Sequence, residues 1–269
     1  MPFGPRTLGS TGIQVGPMGL AASYGAPAST VPWAFDLGVR YFYWGSMRRG
    51  KFAHGLRELA PQRDRYSLVI QSFSRVATLI PWSLQIALRR LRTDYADVLL
   101  LGLWNQSPPP RRIVDACLEL KHRGLIRWLA LSTHQRPMIP ELAASSPYDI
   151  FHVRYNAIHR GAEREVFPRM PQVNAPGLVA FTATSWKQLL DPAKMPAGER
   201  TPTAADCYRF VLTNPAVDLC MAGPANIEQS KAIETAIVKG PMNEDELAWM
   251  RRVGDALYRG KDRAAGAAR

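Results

Sequence analysis

Few side chains in this sequence have the type and placement to do chemistry. His134 follows Ser132 and Thr133 at the end of an apolar run, and His152 interrupts another such run. Imidazole titrates near neutrality, so either ring could bond a cofactor or substrate or act as a base; the competing reading is a buried histidine satisfied by its neighbours. Tyr43 lies in the aromatic cluster Tyr41-Phe42-Tyr43-Trp44, and Arg48, Arg49 and Lys51 follow closely. That grouping suits a weak acid or hydrogen-bond donor, Tyr43, beside an anion anchor, Arg48. It equally suits packing aromatics beside a solvated loop. The segment Gly223-Pro-Ala-Asn226-Ile-Glu228-Gln229 opens a helix, where backbone amides accept an anion without special side chains. His54, His122 and His159 read as surface or cap residues, and no pair of histidines with acidic neighbours has metal spacing.

The elements that must position these residues can be counted. Strands are expected at 17–21, 40–44, 68–72, 97–101, 126–131, 150–155, 177–182 and 218–222. Helices are expected between them, at about 30–37, 51–60, 81–91, 112–123, 136–143, 162–167, 203–213 and 226–238. Eight strand-helix pairs predict an α/β fold, a single (β/α)8 TIM barrel spanning 1–260, with residues 261–269 as a frayed tail. Residues Arg6 to Val15 alternate around Gly12 as a hairpin. Thr203 with Asp206, and Asn243 with Glu246, have capping-box spacing. The second box opens an extra C-terminal helix with Leu247, Met250, Val253 and Leu257 on one face.

With 46% hydrophobic residues and no apolar run long enough for a bilayer, the chain reads as one soluble domain without a membrane partner. Cys117, Cys207 and Cys220 are widely separated and suit reduced, buried thiols; with no signal peptide visible over Met1 to Val15, they predict a cytoplasmic protein. The net charge of +12 could attract nucleic acid, anionic membrane or a polyphosphate cofactor. The basic residues are spread along the chain and form no nucleic-acid-binding motif, which disfavours the first.

The stretch 83–102 contains Leu88-Arg-Arg-Leu-Arg-Thr-Asp94-Tyr95-Ala-Asp97, and it resembles the aldo-keto reductase signature L-x-R-L-x-T-D-Y-x-D-L-x-x-x-H. Further similarity lies in the opening hairpin, in Glu119 to Ser132, and in Val153-Arg-Tyr-Asn156. The resemblance covers nearly the whole chain and implies the same barrel, with its ligand site at the C-terminal mouth. It also implies a catalytic aspartate, tyrosine, lysine and histidine. The matching positions here are Tyr43, Arg48, Phe73 and Gly102. For an NADP(H) cofactor it implies contacts from Ser132, Thr133 and His152 to the carboxamide and from Phe181, with Thr182, to the nicotinamide ring. Gly223, Asn226 and Gln229 would meet the phosphates, and Lys231 a 2′-phosphate. The expectation is an aldo-keto-reductase-like protein whose usual tetrad is replaced: a very weak or non-standard oxidoreductase, or a noncatalytic binder. The alternatives are a carbonyl reductase with Tyr43 as substitute acid, and a nonredox lyase, dehydratase or isomerase using Tyr43, His134 or His152.

Overall fold

The computed structural model describes residues 1–45, 50–145 and 147–267, with side chains through residue 259. Eight parallel strands close a barrel: β3 Met18–Ala21, β4 Tyr41–Trp44, β5 Ser67–Ser72, β6 Ala96–Leu101, β7 Ile126–Thr133, β8 Ile150–Arg154, β9 Gly177–Phe181 and β10 Leu219–Ala222. Neighbours in sequence are neighbours in space, and β10 pairs with β3 to complete the ring. Helices α1 Thr30–Asp36, α2 Gly50–Glu58, α3 Leu79–Leu91, α4 Arg111–His122, α5 Met138–Ser145, α6 Ala162–Glu165, α7 Ala204–Thr213 and α8 Ile227–Lys239 alternate with them. This is the expected barrel, and each strand lies within two residues of its expected place.

A short antiparallel hairpin, β1 Arg6–Thr7 with β2 Gln14–Val15, turns through Gly12 at φ 74° and sends Leu8 and Val15 into the barrel's interior core. That interior follows from strand periodicity, since alternate residues face one way. Tyr41, Val69, Val98, Leu100, Ala130, Ile150, Val179 and Leu219 point inward and pack on one another. Phe42, Trp44, Leu68, Leu99 and Phe151, one step out of phase, pack against the helices instead. On α3 the helical repeat of Leu84, Leu88 and Leu91 is buried, and Arg92 ends the helix in the left-handed region at φ 56°.

Three aspartates fix the lower ends of strands. Asp97 accepts a hydrogen bond from the Leu68 amide at 2.9 Å, Asp149 from Leu129 at 2.8 Å, and Asp218 from Leu178 at 2.9 Å. Each therefore pins the preceding strand from the end opposite the mouth. Asp97 is buried and also pairs with Arg63 at 2.7 Å and Arg127 at 3.2 Å. A buried carboxylate needs such partners, so this part of the signature stretch is structural.

Both capping boxes form: Thr203 with Asp206 at the start of α7, and Asn243 with Glu246 ahead of the last helix, α9 Glu244–Ala267. Helix α9 buries Met250, Val253 and Leu257 against the barrel's outer layer, and its backbone stays helical into the stretch expected to be a tail. Among the described residues no helix is long and apolar enough to cross a membrane.

Candidate functional site

Above the apolar interior, the inward-facing positions at the strands' C-terminal ends line a cavity of about 380 Å³. Strands β4 and β5 contribute Tyr43 and Gln71, with Phe73 just beyond; β7 contributes Ser132 and, beyond it, His134; β8 gives His152, β9 Phe181, and Gly223 follows β10. The same alternation that builds the core below thus selects the lining above.

The β4 to β6 side is organised by one polar pair. The Tyr43 hydroxyl donates to Gln71 Oε1. Gly102, just past β6, lies under that side chain: a Cβ built there would overlap the Gln71 amide nitrogen and lie 2.7 Å from its Cδ. The glutamine fills the space that a side chain at 102 would need. Arg75 holds this rim by donating to the carbonyls of Gly102 at 3.0 Å and Leu103 at 2.8 Å, with its guanidinium 4.0 Å from the Trp104 ring centre. Phe73 stands out of the rim, 54% exposed.

The β7 to β10 side is tied down more closely. The Trp104 amide donates to the Ser132 carbonyl at 2.9 Å, and the His134 amide donates to Asn105 Oδ1 at 2.8 Å. The His134 ring lies 5.8 Å from Phe181. Burial, and then the charge of Arg154, push the His134 ring toward its neutral form. His152 is buried, its Nε2 2.9 Å from the Tyr41 hydroxyl, and burial drives its pKa down to about 3. Burial also raises the Tyr41 phenol far above its usual range, so the pair stays uncharged near neutrality. Beyond β9, Thr182, Ser185, Trp186 and Lys187 all adopt positive φ, between 50° and 68°. Such backbone costs about 1 kcal/mol or more per residue and persists where surroundings enforce it. Asn156 does so here, donating from Nδ2 to the Thr182 carbonyl at 2.8 Å.

Of the residues singled out in the sequence, Tyr43, Ser132, His134, His152, Phe181, Thr182 and Gly223 come together around this cavity. Thr133 is out of phase: it is buried, and its hydroxyl accepts from the Gln135 amide. Asn226 caps α8 by accepting from the Gln229 amide, and the Gln229 side chain accepts from the Ala225 amide, so both brace the turn rather than line the cavity. Lys231 is exposed and paired with Glu228 at 2.7 Å. Arg48 lies outside the described residues. Trp44, grouped with the mouth aromatics in the sequence, packs outward. Gln71, Asn105, Leu103 and Trp186 also line the cavity and escaped the sequence reading. For Gln71 the signal was present: it is a polar residue in an apolar strand, in phase with Val69.

A nicotinamide dinucleotide fits this lining in part. Gly223 lines the cavity beside Tyr24, whose ring a Cβ at 223 would approach to 3.1 Å. Beyond Gly223 the amides of Ile227 and Glu228 open α8. Among the described residues no group of three or more His, Cys, Asp or Glu could hold a metal ion.

A closed parallel barrel with a cavity at its C-terminal mouth defines the class of fold: a (β/α)8 barrel. Residues 80–185 match the sequence profile of the aldo/keto reductase family, and the fold of the whole chain is similar to that of a solved aldo-keto reductase. The chain is 26% identical over 177 residues to the aldo-keto reductase AMT2 of Alternaria alternata, covering 62% of this chain and 45% of that protein. To the L-galactose dehydrogenase of Arabidopsis thaliana it is 30% identical over 151 residues, 47% of each chain. The chain thus spans about half the length of the curated relatives it matches. The fold is similar to that of the holo form of the aldo-keto reductase AKR11C1 from Bacillus halodurans, with TM-score 0.78 at 22% identity over 94% of this chain and 97% of that one.

Proposed function

We propose that this barrel binds a nicotinamide dinucleotide across its mouth, NADP(H) in preference to NAD(H), and is at most a very slow carbonyl reductase. The observation that carries this reading is the Tyr43 to Gln71 hydrogen bond over Gly102. In the resemblance to aldo-keto reductases, Tyr43 and Gly102 match the aspartate and the histidine of the catalytic tetrad, Phe73 the lysine and Arg48 the tyrosine. A general acid needs a positioned proton and neighbours that tune its pKa, and each such device is commonly worth about 10²- to 10⁴-fold. Phe73 offers no charge to tune an acid, and Gln71 occupies the room a histidine at 102 would take.

The opposite wall supports cofactor binding. Ser132 and Phe181 would hold the nicotinamide, and Gly223 with the first amides of α8 would hold phosphate. The bound cofactor supplies a hydride. The chain's own part is to orient the ring against Phe181 and to keep His134 and His152 uncharged beside it. Preference for the extra phosphate of NADP(H) follows from the net charge of +12. The pairing of Lys231 with Glu228 keeps that residue's share small.

Titration with NADPH tests the reading. It should quench tryptophan fluorescence and raise the melting temperature, with stabilisation of about 2.7 kcal/mol at a hundred times Kd. Stopped-flow mixing with aldehydes should then show little oxidation of NADPH. Unchanged fluorescence and melting at saturating NADPH would sink the cofactor assignment. Rapid turnover abolished by Tyr43→Phe would instead make Tyr43 the acid.

A further inference from the structure

A second cavity, of about 640 Å³, opens at the end of the barrel opposite the mouth, between the β1–β2 hairpin and the first residues of β4 to β7. Three arginines border it: Arg40 just ahead of β4, Arg65 just ahead of β5, and Arg127 at the start of β7. Arg127 is committed, donating to Asp97 at 3.2 Å with its guanidinium 4.4 Å from the Tyr95 ring centre. Arg40 and Arg65 are held differently. Both guanidiniums lie over the Phe35 ring, 4.1 Å and 5.3 Å from its centre. Arg40 donates to the Phe35 and Val39 carbonyls, and Arg65 to Gln62 Oε1 at 2.7 Å, in each case through Nη1 alone among the described residues. Nε and Nη2 of both side chains thus remain as donors. Burial, and then the charge of Arg65, disfavour the cationic form of Arg40, and Asp36 offsets only part of this. An anion between the two guanidiniums would relieve it. Of the two carboxylates bordering the cavity, Asp97 is already matched by Arg63 and Arg127, and Asp64 is exposed.

From this pair of guanidiniums and the Trp128 indole bordering the same cavity, we propose that the floor of the barrel binds an aromatic phosphate monoester, its phosphoryl oxygens received by Arg40 and Arg65 and its ring laid against Trp128. The planar guanidinium fork matches phosphate oxygens two at a time, which a solvated lysine does not. A bare phosphate would fill only a small part of 640 Å³, so the ligand needs an organic body. Trp128 and Ile13 supply its apolar wall: both border the cavity, half-buried, and pack on the barrel's interior core. An indole at such a wall favours a flat ring over an aliphatic chain. The floor and mouth cavities share no lining residue, so this site stands apart from the cofactor reading.

Isothermal titration of the full chain with 1-naphthyl phosphate, 1-naphthol and inorganic phosphate tests the proposal. The ester should bind about tenfold or more tightly than either fragment, and its affinity should fall as salt is raised. Arg65→Gln, at an exposed position that folding tolerates, should weaken the ester about tenfold, and Arg40→Gln at least as much. Trp128→Leu should weaken the ester several-fold and leave inorganic phosphate unaffected. Phe181→Ala, in the mouth, should leave the ester's affinity unchanged. No detectable binding of the ester would overturn the proposal, as would binding indifferent to Arg65→Gln. Ester binding lost in Phe181→Ala and kept in Arg65→Gln would place the anion in the mouth and equally overturn it. Ester binding with the stated losses but no response to NADPH would uphold the floor site and remove only the cofactor from the mouth.

Discussion

The two walls of the mouth hold their polar groups in different ways. On the β7 to β10 side each is tied to a different element: His134 through Asn105 beyond β6, His152 across the barrel through Tyr41 of β4, the Thr182 carbonyl through Asn156 beyond β8. On the β4 to β6 side Tyr43 donates to Gln71, and beside them lie an exposed Phe73 and a glycine. In the proposed reading, the wall that would hold a cofactor and the wall that would hold the reacting groups sit on separate strands. One can be kept while the other is rebuilt, because closure of the sheet depends on neither.

The largest expected effect concerns the β4 to β6 wall. With NADPH and simple aldehydes, turnover should lie about 10²- to 10⁴-fold below that of an enzyme with a positioned acid. The combined variant Tyr43→Asp, Arg48→Tyr, Phe73→Lys and Gly102→His should not recover it. A lysine at 73 stands at a position 54% exposed, solvated rather than held beside a reacting phenol, and a tyrosine at 48 need not reach the reacting atoms. Recovery in steady-state assays would break the comparison by showing that the first wall is still a reductase wall.

Next comes an acid effect on the second wall. Burial depresses the folded pKa of His152 to about 3, from an ordinary value near 6.5. In that interval the unfolded chain binds the proton more readily, so the stability conferred by the neutral ring is complete above about pH 6.5. It is lost as pH falls toward 3, at up to about 1.4 kcal/mol per pH unit. Urea unfolding at pH 7 and pH 5 should show a loss about 2 kcal/mol larger for the wild type than for His152→Gln. Equal losses would mean that the ring is not held neutral.

Overpacking at the first wall should be smaller. Gly102→His should cost about 1 to 3 kcal/mol in denaturant unfolding, because Gln71 must swing out and abandon Tyr43. Adding Gln71→Ala should return at least half of that, a coupling that a double-mutant cycle measures. The smallest effects belong to the cofactor surface. Phe181→Ala should weaken NADPH by about tenfold through lost stacking. Lys231→Glu should weaken NADPH more than NADH by a factor of about three or less, shrinking with salt.

Much of this architecture was legible in the sequence. Apolar runs of strand length alternating with amphipathic stretches gave eight pairs, and both capping boxes formed because their spacing is a local rule. At the mouth, reading by resemblance drew attention to Phe73 and Gly102 and away from Gln71, which touches both the phenol and the empty position. Strand phase would have found it, as it would have turned Trp44 outward and retired Thr133 from the lining. The partners of Lys231 and Asn226 depend on rotamers chosen in three dimensions, which linear spacing does not encode.

The overlap between a side chain at 102 and the amide of Gln71 has a consequence for how this barrel can change. Steps taken one residue at a time are not interchangeable: shortening residue 71 first opens a tolerated space, whereas enlarging residue 102 first passes through a strained intermediate. A library randomised at 102 alone will return mostly glycine and misreport the site as intolerant. The same library built on a Gln71→Ala background will return many residues, so the two positions form one unit of variation.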